Sequence, residues 1–208
     1  MALATFKGGI HPPDKKDIAK DRAIKEAKSP QRVVIPLSQH LGAPCKPIVS
    51  IGQEVKKGEV IGEPRGFVSA PVHSSVSGKV IAIAEFPNAM GRMINSIVIE
   101  NDGKEEWTSL KDNPDYIKLS PDDLKEKVKA AGIVGMGGAA FPTLVKLSPP
   151  REKPIDTVIL NGAECEPYLT ADYRLMIEKS SDIVEGLKIL MRILGVNKGF
   201  IGIENNKP

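Results

Sequence analysis

Three short stretches hold most of the residues able to do chemistry. Gly135-Met136-Gly137-Gly138-Ala139-Ala140 sets three glycines and two alanines in six positions, followed by Phe141-Pro142 and a lone cation, Lys146. With so few side chains in the way, backbone can approach a ligand closely, and consecutive N–H groups can hold a phosphate. The second stretch is Asn161-Gly162-Ala163-Glu164-Cys165-Glu166-Pro167-Tyr168, and the third is Glu204-Asn205-Asn206-Lys207. Each directly follows an apolar run. Polar residues this dense at the ends of apolar strands are poor core material. They suit a pocket that hydrogen-bonds a flat heterocycle through several donors and acceptors.

The elements that position these residues decide what the glycines are for. Gly135-x-Gly137-x-x-Ala140 satisfies the letters of the dinucleotide fingerprint, which needs a strand before it and a helix opening at the glycines. Here Ser120-Pro121-Asp122-Asp123 is a capping box with proline at the first helical position. Leu124, Val128 and Ala131 then share one helical face, and Gly132 is a natural stop. A helix therefore precedes the loop, and the fingerprint's context fails.

After the loop, PTLVKL predicts a short helix and residues 148–154 a Pro-rich turn. IDTVILN (155–161) and KGFIGIE (198–204) predict two buried strands. Between them, residues 180–195 predict a helix with Ile183, Leu187, Leu190, Met191 and Leu194 on one stripe, Ser181 or Asp182 as cap and Gly195 as stop. Strand, helix, strand in this order is a parallel βαβ unit. A parallel sheet wants both faces covered, so the domain is expected to continue past Pro208.

The upstream half has a different texture. RVVIPL (32–37), 46–64, 69–86 and INSIVIEN (94–101) are short β-branched runs punctuated by glycine, the pattern of a small barrel or sandwich. Residues 48–83 resemble the barrel-sandwich hybrid of lipoyl and biotinyl carriers. The tip where a carrier bears its modified lysine reads Pro64-Arg65-Gly66-Phe67-Val68 here. Without that lysine, the module is expected to pack or dock rather than to swing a prosthetic arm. The expected organisation is an N-terminal arm (1–30), extended and then at best a weak charged helix; the β domain (31–105); a linker (106–119); and a Rossmann-like α/β domain (120–208), incomplete on its C-terminal side.

Bulk properties exclude some classes. The 29 basic and 26 acidic side chains leave a formal charge of +3, too balanced for a nucleic-acid partner. Cys45 and Cys165 form no metal or cluster spacing and fit a reducing compartment. No apolar run approaches the ~18 residues a membrane span needs. Cys165 has no neighbouring histidine to activate it and reads as a small buried side chain. His11, His40 and His73 are isolated and read as surface or satisfied turn residues. Asp172 and Arg174 read as an ion pair at a helix start, and Glu164 and Glu166 either as site residues or as solvated loop acids.

Taken together, GMGGAAFPTLVKL, NGAECEPYLTADYRLM, IGIENNKP and FKGGIHPPDKK resemble the C subunit of the Rnf-type ion-translocating ferredoxin:NAD oxidoreductases over essentially the whole chain. The second half is also similar to the FMN- and NADH-binding subunit of respiratory complex I. It departs from that pattern at Met136, where complex I has arginine, and at Ala163, where it has aspartate; the Rnf-type pattern accommodates both.

The resemblance implies an FMN site and NAD(H) as substrate. Gly135, Gly137, Gly138 and Ala139 would be cofactor-binding, the glycines through close backbone approach. Phe141 would give a ring for stacking and Lys146 a cation near the flavin's polar end. Asn161, Glu164 and Glu166 would line the face where hydride passes between nicotinamide and flavin, the two glutamates as the catalytic pair. Asn205 and Asn206 would contribute from the second strand tip.

It further implies two [4Fe–4S] clusters in the full-length protein, outside this chain, which could not complete the relay alone. The partners would be the other subunits of the membrane complex and ferredoxin, with no nucleic acid and no direct membrane span. The place would be the cytoplasmic side of the bacterial inner membrane. An alternative also stands: a non-catalytic scaffold with a vestigial flavin fold, like the A subunit of the sodium-pumping NADH:quinone reductase.

Overall fold

The computed structural model describes residues 8, 10, 12–110 and 115–207. The chain divides into two compact units, Ala27–Ile155 with Arg192–Gly195, and Met1–Glu26 with Asp156–Met191 and Val196–Pro208. Compactness thus groups the N-terminal segment with the two strand tips, and the glycine loop with the β domain.

The larger unit is built on two antiparallel sheets. β1 (Arg32–Pro36), β7 (Met93–Asn101), β6 (Gly78–Pro87) and β3 (Glu54–Val55) lie in the order β1-β7-β6-β3, and β2 (Lys46–Pro47), β4 (Val60–Glu63) and β5 (Val72–His73) in the order β2-β4-β5. A register shift between Val80 and Ala82 marks a bulge in the long β6·β7 pair, which bends the ribbon. Between the sheets lies an aliphatic cluster that includes Leu37, Val55, Ile61, Val80, Ile97 and Ile99. This is the sandwich expected from the short β-branched runs. The β4–β5 connection carries Arg65 and Phe67 in the open at its tip, without a lysine. Trp107 pairs with Lys57 in an isolated bridge, its ring 5.1 Å below the ammonium, so the start of the expected linker belongs to the β domain.

Helix α1 (Pro121–Ala130) follows. Its start is the expected capping box: Ser120 Oγ accepts from Asp123 N–H, and the Asp123 carboxylate accepts from Ser120 N–H. His73 Nε2 sits 3.1 Å from Ala130 O at the other end. His40 is also bonded, accepting from Ala70 N–H at 3.0 Å. His11 lies outside the described residues. Helix α2 (Thr143–Lys146) is a single turn.

In the smaller unit, β8 (Thr157–Asn161) and β9 (Lys198–Gly202) pair in parallel with Asn161 opposite Gly202. α3 (Ala171–Glu178) and α4 (Ser180–Leu194) connect them. A Cβ on Gly199 would lie 2.5 Å from Met191 Sδ and 3.2 Å from Leu187 Cδ2. Glycine there lets α4 lie directly on β9.

Several expectations need correction. The strands are not buried on both faces. Ile159 is 66% and Phe200 59% exposed, paired across the ladder, because helix covers only one face of two strands. Neither Ser181 nor Asp182 caps α4, which starts at Ser180 directly behind α3, with Ile183 N–H donating to Lys179 O. Arg174 pairs with Glu178, not with Asp172. The charged N-terminal stretch makes one 3-10 turn, Lys16–Ile18, rather than a longer helix. Cys165 is exposed, not buried.

Candidate functional site

The glycine loop is a closed bend. Val134 and Pro142 form an antiparallel bridge across its neck. Inside it, Gly135 N–H donates to Phe141 O, and Ala140 N–H to Gly137 O, each at 2.9 Å. Ala140 takes a left-handed conformation (φ 43°) to close the turn. Leu41 N–H donates to Ala139 O at 2.8 Å and anchors the bend to the β domain.

Among the described residues, the N–H groups of Met136, Gly137, Gly138 and Ala139 meet no protein acceptor. A Cβ on Gly137 or Gly138 would meet nothing within 4 Å. The bend therefore presents successive free donors to open space. Lys146 is exposed, and its Nζ would lie 2.8 Å from a Cβ on Gly135; this places the cation beside the first glycine. Phe141 is half-buried. α2 opens after the bend rather than at the glycines, so backbone donors and Lys146, not a long helix dipole, would meet an anion.

The second strand-tip cluster lies in the smaller unit. Gly162 N–H donates to Gly202 O at 2.8 Å, continuing the parallel ladder one step past β8. Asn161 Oδ1 then accepts from Ala163 N–H at 3.0 Å, a local turn that leaves its amide N–H2 free. The chain next buries Glu164 and leaves Cys165 and Glu166 exposed.

The Glu164 carboxylate is hydrogen-bonded through one oxygen, while the other is buried and faces two ammonium groups beyond hydrogen-bond distance. Its Oε1 accepts from Asp172 N–H at 2.8 Å, in the first turn of α3. Its Oε2 lies 3.7 Å from Lys16 Nζ and 4.0 Å from Lys207 Nζ. Lys16 Nζ also donates to the carbonyls of Glu164, Glu166 (3.1 Å) and Leu169 (2.8 Å). Lys207 Nζ lies 3.7 Å from Glu204 Oε2 and 5.3 Å from the Tyr173 ring centroid. Three separate segments thus meet at one buried carboxylate. Glu166, two residues on, is different: its carboxylate is exposed and, among the described residues, no protein group pairs with it.

Asn205 and Asn206 are exposed in the turn after β9. Asn206 lines a cavity of about 210 Å³ together with Lys16, Tyr173 and Lys207. The structure thus gathers Asn161, Glu164, Glu166, Asn205 and Asn206 in one unit, and Gly135, Gly137, Gly138, Ala139, Phe141 and Lys146 in the other. Sequence reasoning overlooked Lys16 and Lys207. The only available signal was that both lie inside family-like motifs, FKGGIHPPDKK and IGIENNKP.

Comparison with known proteins also gives two parts, but with other bounds: it sets the glycine loop in one domain with the strand tips and the N-terminal segment with the β domain. Residues 4–104 match the family described as the RnfC barrel sandwich hybrid domain, and residues 128–208 match the Nuo51 FMN-binding domain. The chain is 53% identical to the C subunit of the Na(+)-translocating ferredoxin:NAD(+) oxidoreductase complex of Acetobacterium woodii, over 98% of this chain and 46% of that protein. It is 49% identical to the C subunit of the Proton-translocating ferredoxin:NAD(+) oxidoreductase complex of Clostridium ljungdahlii, over 99% of this chain and 45% of that protein. It is 44% identical to the C subunit of the Ion-translocating oxidoreductase complex of Pseudomonas aeruginosa, over 100% of this chain and 27% of that protein. The chain spans about half or less of the length of these relatives. Joining an RnfC barrel-sandwich-hybrid domain to a Nuo51-type FMN-binding domain, it belongs to the family of Rnf complex C subunits.

Proposed function

We propose that this chain is the flavin-bearing part of an electron-transfer subunit in a membrane-bound, ion-translocating ferredoxin:NAD oxidoreductase. The observation that carries the reading is the bend at Met136–Ala139, with its free N–H groups and unobstructed glycines, inside a segment that matches an FMN-binding domain. Phosphate oxygens would take those donors, and Lys146 would add charge beside Gly135. Phe141 would supply an apolar wall. FMN, when bound, supplies the ability to take electrons as a pair and release them singly.

The residues of the strand tips do the rest in this reading. Asn161 offers its free amide, and Asn205 and Asn206 offer theirs from the neighbouring tip. Glu166 presents an unpaired carboxylate to the nicotinamide side of NAD(H), where it orients the ring by accepting hydrogen bonds. Glu164 contributes from beneath, by holding the turn that displays Glu166. The [4Fe–4S] clusters that receive single electrons would be held by cysteines in the remainder of the full-length protein. We further propose a peripheral position on the cytoplasmic side of the membrane, against the other subunits and ferredoxin. No helix among the described residues is long and apolar enough to cross a membrane.

Titration with FMN and then NADH, on this chain beside the full-length protein, tests the reading. Uptake of FMN by the full-length protein, and its bleaching by NADH, is the expected outcome. Glu166→Gln is expected to slow that bleaching on the order of tenfold to a hundredfold with folding unchanged. An unchanged rate removes Glu166 from the site. Failure of both proteins to take up flavin favours the scaffold alternative.

A further inference from the structure

We propose that Lys16 is a positioning residue for the NAD(H) face, acting through the acidic loop 164–169; the proposal rests on the role given to Glu166 above. Lys16 is 148 residues from Glu164 in sequence, yet its side chain is only 8% exposed. Its ammonium has three N–H bonds, and the carbonyls of Glu164, Glu166 and Leu169 take all three. These acceptors are spread along one loop, so a single cation fixes the loop's curvature.

The grip is reciprocal. Asp14 O accepts from Tyr168 N–H at 2.7 Å, so residues 14–16 both donate to the loop and accept from it. Tyr168 sits at φ 68°, a left-handed backbone that costs energy for an aromatic residue and persists only when its surroundings impose it. A loop without regular hydrogen bonding would not keep such a shape alone, given the entropy of each residue it must order. Glu166 lies inside this span, and its own carbonyl is one of the three held by Lys16. The direction of its exposed carboxylate is therefore set by a residue near the start of the chain. Arginine is no substitute, because its planar fork does not reach three divergent carbonyls as a compact ammonium does.

The test uses the full-length protein loaded with FMN. In Lys16→Met, the Kd for FMN, read by flavin fluorescence, is expected to stay within about twofold, because the bend proposed to hold the phosphate belongs to the other compact unit. The kcat/KM for NADH is expected to fall on the order of tenfold to a hundredfold, as misplacement of an orienting group does. The amides of Glu164, Cys165, Glu166, Tyr168 and Leu169 are expected to exchange faster.

Unchanged NADH kinetics with unchanged loop exchange overturns the proposal. So does equal loss of FMN affinity and NADH turnover, which would mark a merely structural residue. Should Lys16→Met not fold, acylation of the wild-type protein decides: Lys16 is expected to resist a reagent that modifies Lys20, and equal modification overturns the proposal. Wild-type protein that takes up FMN but ignores NADH overturns the reading of Glu166 itself, and this role for Lys16 with it.

Discussion

The two compact units bury opposite kinds of side chain. In the β domain the residues withdrawn from water are mainly aliphatic, with Ile61, Val80, Ile97 and Ile99 at or near complete burial. In the strand-tip unit the buried residues among those described are Lys16, Glu164, Thr170 and Leu187, while Ile159 and Phe200 face solvent. Aliphatic burial is non-directional and roughly proportional to area. A buried charge cluster adds little net stability over an apolar one, but it tolerates few geometries. The first unit is built to be stable and the second to hold a shape.

The largest expected effect breaks the second unit. Glu164→Gln keeps an acceptor for Asp172 N–H but removes the countercharge from Lys16 and Lys207. Breaking a buried pair from one side costs roughly 3–5 kcal/mol. Local opening of the unit should rise by at least about 100-fold, since each ~1.4 kcal/mol is a factor of ten. Hydrogen exchange across β8 and α3 measures it, and the β domain should not change. Rates that stay put would mean that the three carbonyls around Lys16 carry the cluster without Glu164.

The next effect breaks the first unit. Ile61 is fully buried between the sheets, and Ile61→Ala should cost about 2–5 kcal/mol by lost transfer and a cavity. The single tryptophan, Trp107, stacks under Lys57 in this unit, so its fluorescence reports the shift in denaturant midpoint. Faster exchange in β8 as well would show that the two kinds of burial are not independent.

The same contrast explains what the sequence revealed. Aliphatic alternation, glycine turns and the Ser120–Asp123 capping box are local signals, and the elements they predict are present with nearly the expected bounds. The loop after α1, the parallel pair and the missing tip lysine were legible for the same reason. The charge cluster was not. Lys16 reads as one of many lysines in a polar segment, and only a partner 148 residues away makes it a buried one. Once Glu164 turns inward to meet it, the neighbours on either side must turn out, so Cys165 is exposed although its type suggests the reverse. The exposed Ile159 and Phe200 were unpredictable in the same way, since a strand's periodicity does not say how many layers will cover it.

The smallest effect sharpens the comparison through pH. Glu178 accepts from Ile24 N–H at 3.1 Å and pairs with Arg174, tying the N-terminal segment to α3. Those contacts, the backbone N–H first, hold its carboxyl below the ordinary value of 4.5. A depressed carboxylate contributes stability that is present above the unfolded-state value and lost as pH falls through the folded one. Protection of the Ile24 amide, corrected for intrinsic exchange, should therefore be flat above 4.5 and decline below it. The amides bonded in the β1·β7 and β6·β7 ladders should keep theirs across the same window. In the larger unit, the N-terminus of α1 should follow Glu178 instead, because Asp123 in its capping box is depressed by Ser120 in the same sense. If Ile24 held its protection down to the pH where the β domain unfolds, Glu178 would not fasten the N-terminal segment, which would then rest on Lys16, on Asp14 and on the Arg174 N–H donated to Lys20 O.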